Sequence, residues 1–188
     1  MFLFIAFIIV LPLDSYATIL DEVPPYIEII GINESDYKIS KTIKNDQIIV
    51  ELEEKNTGSN YSWSFDKNKI NSKIMLDFSI DFQSEKKYEI DNIIGDSNKV
   101  YLSFAHHGAL PSTAKIKVDV SNNFEDGSKL FLYYYNENPK KLEFIDDNIE
   151  VEAGYAEFEI EHCSEYILTQ ASTKDTLKKR NILSYIII

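Results

Sequence analysis

The three histidines and one cysteine of this sequence have the chemistry of soft metal ligands or nucleophiles: His106, His107, His162 and Cys163. They form two adjacent pairs that neighbouring strands could bring together. A structural zinc site needs three or four such ligands. Successive side chains of a strand point to opposite faces, so without a bulge only one member of each pair could join one site. The spacing favours a histidine pair in a loop plus one hydrogen-bonded histidine, with no metal and no cofactor; the metal site is the alternative.

Cys163 is the only cysteine, so it cannot form a disulfide within the chain. A cysteine nucleophile needs a base within hydrogen-bond reach and a third group that orients the base. His162 is its neighbour in the chain and would project the other way. We therefore expect Cys163 to be a small buried apolar residue.

Carboxylates recur along two predicted strands. Glu157, Glu159 and Glu161 share one strand face at a spacing of about 7 Å, and Asp77 and Asp81 lie about twice as far apart. The shorter spacing suits the acid and base of a glycosidase. A solvated polar face explains the pattern better, because most predicted strands here have one. The sequence therefore predicts no catalytic residue.

Aromatic side chains are the stronger candidates for a ligand site. Trp63 lies in a stripe that alternates aromatic residues with serines, and Tyr133 and Tyr135 belong to a run of three tyrosines. Flat rings exposed on a β-sandwich can stack on the apolar faces of sugars. We expect Tyr134 to face the core, because it is in phase with Leu130 and Leu132, and we expect Tyr133 and Tyr135 to be partly exposed. The alternative for the Trp63 stripe is a core strand.

Short strands are the elements that must position these side chains. Apolar and polar residues alternate within them, which predicts one face in a core and one in water. Six strands are predicted in the second half of the chain: 99–105, 115–120, 129–135, 141–146, 149–160 with a break at Gly154, and 165–169.

Earlier in the chain, residues 74–82 have the cleanest alternation, and 84–94 fit a short helix or a strand with its loop. Residues 110–114, around Pro111, are predicted as a loop. Regular short strands with frequent turns predict an all-β fold, namely an antiparallel β-sandwich. Two packed β subdomains are an alternative arrangement of the same strands.

The N-terminus predicts export. Residues 2–13 are almost unbroken apolar sequence, and Ser15-Tyr16-Ala17 supplies small residues at a cleavage site, as in a secretory signal. No Lys or Arg precedes the apolar stretch, so an uncleaved membrane anchor is the alternative. The predicted organisation is a signal peptide (1–17), an N-terminal β region (18–60), a β-sandwich module (61–170) and a linker or tail (171–188). The Ile-rich end of the tail could be a truncated anchor.

Charge excludes one class of partner. The 188 residues carry a formal net charge of −12, and such an acidic chain repels phosphate backbones and anionic membranes. We therefore expect no nucleic-acid partner.

Several segments together resemble a known module: 61–65, 102–106, 110–111, 115–120, 132–136, 154–155 and 162–169. In order and spacing they resemble an uncharacterised C-terminal β-sandwich module of exported clostridial (Firmicute) cell-surface proteins. In that module the closing strand often reads His, a small residue, Ser or Asp, Tyr, then apolar residues and Thr. The resemblance implies a β-rich extracellular module and transfers no catalytic residue. The short chain fits a fragment of a larger protein.

The expected function is a non-enzymatic, exported surface or secreted module with a structural or adhesive role. The alternative is a carbohydrate-binding module that uses Trp63, Tyr133 and Tyr135, and a hydrolase accessory or metal-binding domain comes third. A cell-wall glycan or another surface protein is the expected partner.

Overall fold

The computed structural model describes residues 27–70, 72–95 and 97–173. The predicted signal segment (1–17), its hydrophobic stretch and the Ile-rich tail (182–188) lie outside these ranges. Within the described ranges, no helix has the length and apolar character needed to cross a membrane.

Strands dominate the described residues, with one α-helix and one short 3₁₀ turn (Lys67–Lys69). The helix α1 (Lys87–Ile94) lies between the sixth and seventh strands. In chain order the strands are β1 (Ile27–Ile30), β2 (Tyr37–Lys44), β3 (Gln47–Glu54), β4 (Asn60–Asp66), β5 (Ile74–Asp77), β6 (Ile80–Asp81), β7 (Lys99–Asp119), β8 (Lys129–Asn136), β9 (Lys141–Glu150) and β10 (Tyr155–Thr169).

Within the described ranges, eight strands form one antiparallel sheet in the order β2-β3-β4-β7-β10-β8-β9, with β6 paired to β7. β1 and β5 form a separate parallel pair. Asn45 and Asp46 both have positive φ and close the two-residue turn between β2 and β3, as a type I′ hairpin requires. The predicted all-β fold, an antiparallel β-sandwich, is confirmed.

The two longest strands, β7 and β10, pair with each other as an antiparallel ribbon, and this ribbon contributes one end to each layer of the sandwich. β4 pairs with residues 114–118 of β7, whereas β6 pairs with Ser103 and Phe104. β8 pairs with β10 only at residues 166–169. We call β2, β3 and β4, together with residues 114–119 of β7 and 155–160 of β10, the first half-sheet. The second half-sheet contains β6, β8 and β9, together with residues 99–104 of β7 and 165–169 of β10.

Trp63 shows how sharply the ribbon folds over. Its Cα is paired with Ile116 of β7, while its ring packs edge-on against Phe104, with ring centroids 5.2 Å apart. Phe104 and Ile116 are twelve positions apart, a distance of about 40 Å along a straight strand. β7 must therefore bend between them, and β-bulges interrupt its pairing with β10 around His162 and Cys163.

Two apolar clusters lie on opposite faces of the second half-sheet. The main core fills the space between the half-sheets and includes Trp63, Phe65, Phe78 and Phe104. The second core lies between the second half-sheet and α1; its buried members are Ile90, Tyr101, Tyr133, Tyr135, Leu142 and Ile167. The second half-sheet is therefore buried on both faces around Tyr101, Tyr133 and Ile167, whereas the first half-sheet has a solvated outer face.

Asp91 fastens α1 to the second half-sheet. Its carboxylate accepts hydrogen bonds from the Lys99 ammonium at 2.7 Å and from the Tyr101 hydroxyl, and it pairs with Lys87 at 3.0 Å. Burial on its own would raise the pKa of Asp91, but these three donors outweigh burial and lower the pKa to about 2. The Lys99 ammonium also donates to the carbonyl of Gly95 at the helix end.

Some predicted strand boundaries are wrong, for local reasons. The six strands predicted over 99–169 are four, because β7 and β10 each continue through the bend. Residues 110–114, predicted as a loop, belong to β7. The strand predicted over 74–82 breaks because the Asp77 carboxylate accepts a 2.9 Å hydrogen bond from the Ser79 backbone and turns the chain. For 84–94 the helix alternative is confirmed by α1.

Candidate functional site

The outer face of the first half-sheet presents a row of polar side chains. The registers place Ser40, Glu51, Ser62, Lys117 and Glu157 side by side on β2, β3, β4, β7 and β10. Each lies on the face opposite the apolar residues of its strand. The row therefore combines both charges and two hydroxyls across five neighbouring strands.

A cavity of about 430 Å³, which we call the trough, opens on this face. It forms because Asn60 and Ser62 on β4 are short, whereas their neighbours on β3 and β7 are glutamates and a lysine. The polar side chains that line the trough are Lys38, Ser40, Glu51, Glu53, Asn60, Ser62, Lys117 and Tyr155.

Short contacts fix the walls of the trough. The Lys38 ammonium lies 2.8 Å from the Glu53 carboxylate, and the Ser40 hydroxyl donates to Glu51 at 3.1 Å. At the opposite wall, the Tyr155 hydroxyl donates to Oδ1 of Asn60 at 2.7 Å.

Tyr155 contributes an aromatic ring to the trough. The ammonium of Lys117 lies over this ring, 4.6 Å from its centroid, in a cation–π contact. Tyr155 is half-buried, and Lys117, which covers its ring, is exposed.

The trough is balanced in charge although the chain is not. Two lysines, Lys38 and Lys117, lie among its lining residues with two glutamates, Glu51 and Glu53. The whole sequence carries a net charge of −12. A ligand in the trough therefore meets paired donors and acceptors without a net excess of either charge.

The three aromatic residues predicted to bind a ligand lie elsewhere. Trp63 is 1% exposed in the main core, and Tyr133 and Tyr135 are 0% and 1% exposed in the second core. The expected exposure of the two tyrosines is wrong, because α1 covers the sheet face to which they point. Tyr134, which we expected in the core, is half-buried and packs against the main core. In this conformation the three buried rings present no face to a sugar.

The bend of the ribbon brings the candidate metal ligands to one region without assembling them. His162 is paired with Ala109 and Cys163 with Gly108, while His106 and His107 lie next to these partners on β7. Among the described residues, no group of three or more His, Cys, Asp or Glu side chains is placed to hold a metal ion.

His162 and Cys163 both lie in packed surroundings. The His162 ring packs edge-on against Tyr134 at 4.9 Å, and its backbone carbonyl accepts a 2.8 Å hydrogen bond from the Tyr166 hydroxyl. The expected burial of Cys163 is confirmed: it is 3% exposed, and burial raises the pKa of its thiol to about 12. Such a thiol carries almost no thiolate at neutral pH.

The glutamates of β10 form part of a charge ladder with β7. Glu157, Glu159 and Glu161 are exposed, and Glu157 pairs with Lys115 at 2.9 Å. This is the solvated polar face that the sequence favours. Asp77 and Asp81 each accept a backbone hydrogen bond from the residue two positions on, so both stabilise turns.

Sequence reasoning missed the trough because it depends on strand register. The sequence shows Ser62 and Ser64 on one face of a strand, and it shows alternating lysines at 115 and 117. Which strand lies beside which is decided by pairing across residues distant in the chain. For Tyr155 the sequence gave only its place after the turn at Gly154, in one of the segments that carry the resemblance.

Comparison of the chain with models of known families, with curated proteins and with solved structures finds no match.

Proposed function

We propose that the protein is a non-enzymatic, exported module of the cell surface or the secreted fraction, and that it adheres to its partner through the trough. The observation that carries the proposal is the row of polar side chains that five neighbouring strands place on one outer face. A rigid sheet holds these groups at fixed spacing, which lowers the entropy lost on binding.

The contacts within the trough support binding rather than proton transfer. A general acid or base must present its carboxyl group to the reacting atom. Glu53 is already paired with Lys38, and Glu51 accepts a hydrogen bond from Ser40. Carboxylates held in this way suit the recognition of polar groups on a ligand.

Export is supported by the N-terminal sequence. Residues 1–17 have the apolar stretch and the small residues of a secretory signal. Protease treatment of intact cells followed by immunoblotting tests this part of the proposal. We expect the protein to be degraded on intact cells or found in the medium; protection until the cells are lysed would contradict export.

Adhesion is tested with the purified full-length chain and insoluble cell-wall preparations. Ser62→Arg fills the trough with a long side chain and should abolish cosedimentation. Ser64→Arg is the matched control, because Ser64 lies on the same face of β4, two positions along and outside the trough lining. Equal binding by both variants and the wild type would refute a role for the trough, provided that circular dichroism shows both variants folded.

A further inference from the structure

We infer that the trough binds an extended, uncharged oligosaccharide, which lies across the strands with one sugar ring on Tyr155. This inference rests on the proposed function and names the ligand of the same site.

The width of the trough indicates an extended ligand. Its lining residues come from five adjacent strands, β2, β3, β4, β7 and β10. Adjacent strands lie about 4.8 Å apart, so the lining spans about 19 Å from the first strand to the fifth. A chain of several sugar units can contact all five strands at once, whereas a single small molecule cannot.

The charge distribution indicates an uncharged ligand. Lys38 and Lys117 balance Glu51 and Glu53 within the trough, so the site offers no net attraction to an ion. The surrounding protein is strongly acidic, and its field repels anionic polysaccharides from a distance. An uncharged glycan meets neither penalty.

The side-chain chemistry fits sugar hydroxyls and one apolar sugar face. Glutamates accept hydrogen bonds from hydroxyl groups, lysines donate to them, and Ser40 and Ser62 can do both. Tyr155 supplies the ring, and its hydrogen bond to Asn60 holds that ring in place. A sugar on this ring takes the place of the exposed Lys117 ammonium, which then donates to a sugar hydroxyl. Ile39, Leu52 and Tyr61 also line the trough, so its polar groups lie next to apolar surface, as the hydroxyls and the apolar face of a sugar require.

The inference is tested by affinity electrophoresis of the full-length chain in gels that contain soluble polysaccharides. The neutral arms are a mixed-linkage glucan, a galactomannan and an arabinoxylan, and the anionic arm is polygalacturonate. We expect at least one neutral polysaccharide to retard the protein and polygalacturonate to leave it unretarded. Retardation by polygalacturonate alone, or by none of the four, would overturn the inference.

Variants of tyrosine assign the binding to the trough. Tyr155→Ala should weaken binding about tenfold or more, as the loss of a main aromatic contact does. Tyr155→Phe keeps the ring and loses only the Asn60 hydrogen bond, so we expect a smaller loss of about threefold. Tyr88→Ala is the matched control, because Tyr88 is 77% exposed on α1, away from the trough. Equal affinity of Tyr155→Ala and the wild type would overturn the inference.

Pretreated cell walls separate this inference from the proposed function. Periodate destroys sugar rings that carry neighbouring hydroxyls, and protease destroys protein partners. Binding that periodate abolishes and protease leaves intact supports the glycan. Binding that depends on Ser62 but is lost only after protease would refute the glycan and leave adhesion through the trough standing.

Discussion

Trp63 provides a direct test of the sandwich, because the sequence allowed it to be either a sugar-binding ring or a core residue. Its ring packs against Phe78 and Phe104 at 5.2 Å and stacks near Phe65, with 1% exposure. The Nε1 atom of Trp63 is buried without a hydrogen-bond partner. We therefore predict that truncation of this side chain destabilises the fold and that its indole does not take part directly in ligand recognition.

The size of the effect follows from the buried area. A buried tryptophan removes about 200 Å² from water. At about 25 cal/mol per Å², the free energy lost on its truncation has an upper value of about 5 kcal/mol. Substitutions of this kind cost about 3 to 5 kcal/mol. Total stability of a domain is about 5 to 15 kcal/mol, so Trp63→Ala should lower the urea midpoint by about 2 M or leave the protein unfolded.

Trp63→Phe keeps the measurement informative if the alanine variant does not fold. It retains one aromatic ring and removes the unpaired N–H group, so we expect a loss of only about 1 to 2 kcal/mol. Unfolding is followed by far-ultraviolet circular dichroism, because both variants lack the only tryptophan. Tyr88→Ala, an exposed aromatic truncation, should change the free energy of unfolding by less than about 0.5 kcal/mol.

Native fluorescence gives a second readout of the same prediction. A buried indole emits at short wavelength and resists quenching by iodide, and both properties should disappear on unfolding. A wild-type urea midpoint in Trp63→Ala, together with loss of polysaccharide binding, would refute the core position of Trp63. That result would instead favour the Trp63 ring as a contact to the ligand.

Three further predictions concern other parts of the fold. Asp91→Asn should lower the free energy of unfolding by about 1 to 2 kcal/mol at pH 7, a value discounted for the 31% exposure of the carboxyl group. Because the folded pKa of about 2 lies below the unfolded value near 3.8, the difference should persist above about pH 4 and fade as the pH falls towards 2, as urea titrations at each pH would show. Cys163 should react with a thiol reagent at pH 8 only as fast as the protein unfolds, and rapid labelling of the native chain would contradict its burial. Gly31→Ala should lower the thermal midpoint more than Gly58→Ala, although both glycines have φ near +75°. A Cβ at position 31 would lie 1.9 Å from the Asp77 carboxylate, whereas a Cβ at position 58 would have no atom within 4 Å.

The period-two pattern was sufficient to predict most strands and the fold class, because alternation depends only on local geometry. The predicted strand over 74–82 was wrong at 77–80, because a hydrogen bond to the Asp77 side chain turns the chain there. The predicted boundaries at 105–114 were wrong because β7 continues through a bend with β-bulges in its pairing to β10. The burial of Cys163 was predictable from residue type alone, because a lone cysteine with no orienting partner behaves as a small apolar residue.

Burial of Tyr133 and Tyr135 could not be read from their strand. Alternation assigns them to the face opposite Leu132, and only the docking of α1 makes that second face a core. The trough depended on still more distant relations, because Ser62, Lys117 and Tyr155 meet only after β7 has paired with both β4 and β10.

The sequence by itself determined that this chain forms amphipathic strands and that its charge is strongly negative. Each of these follows from residue type and short spacing. Tertiary structure alone decided which faces are solvated, which aromatic rings are accessible and which polar groups share a site. The physical reason is register: pairing between distant strands fixes side-chain neighbours, and that pairing depends on the packing of the whole sandwich.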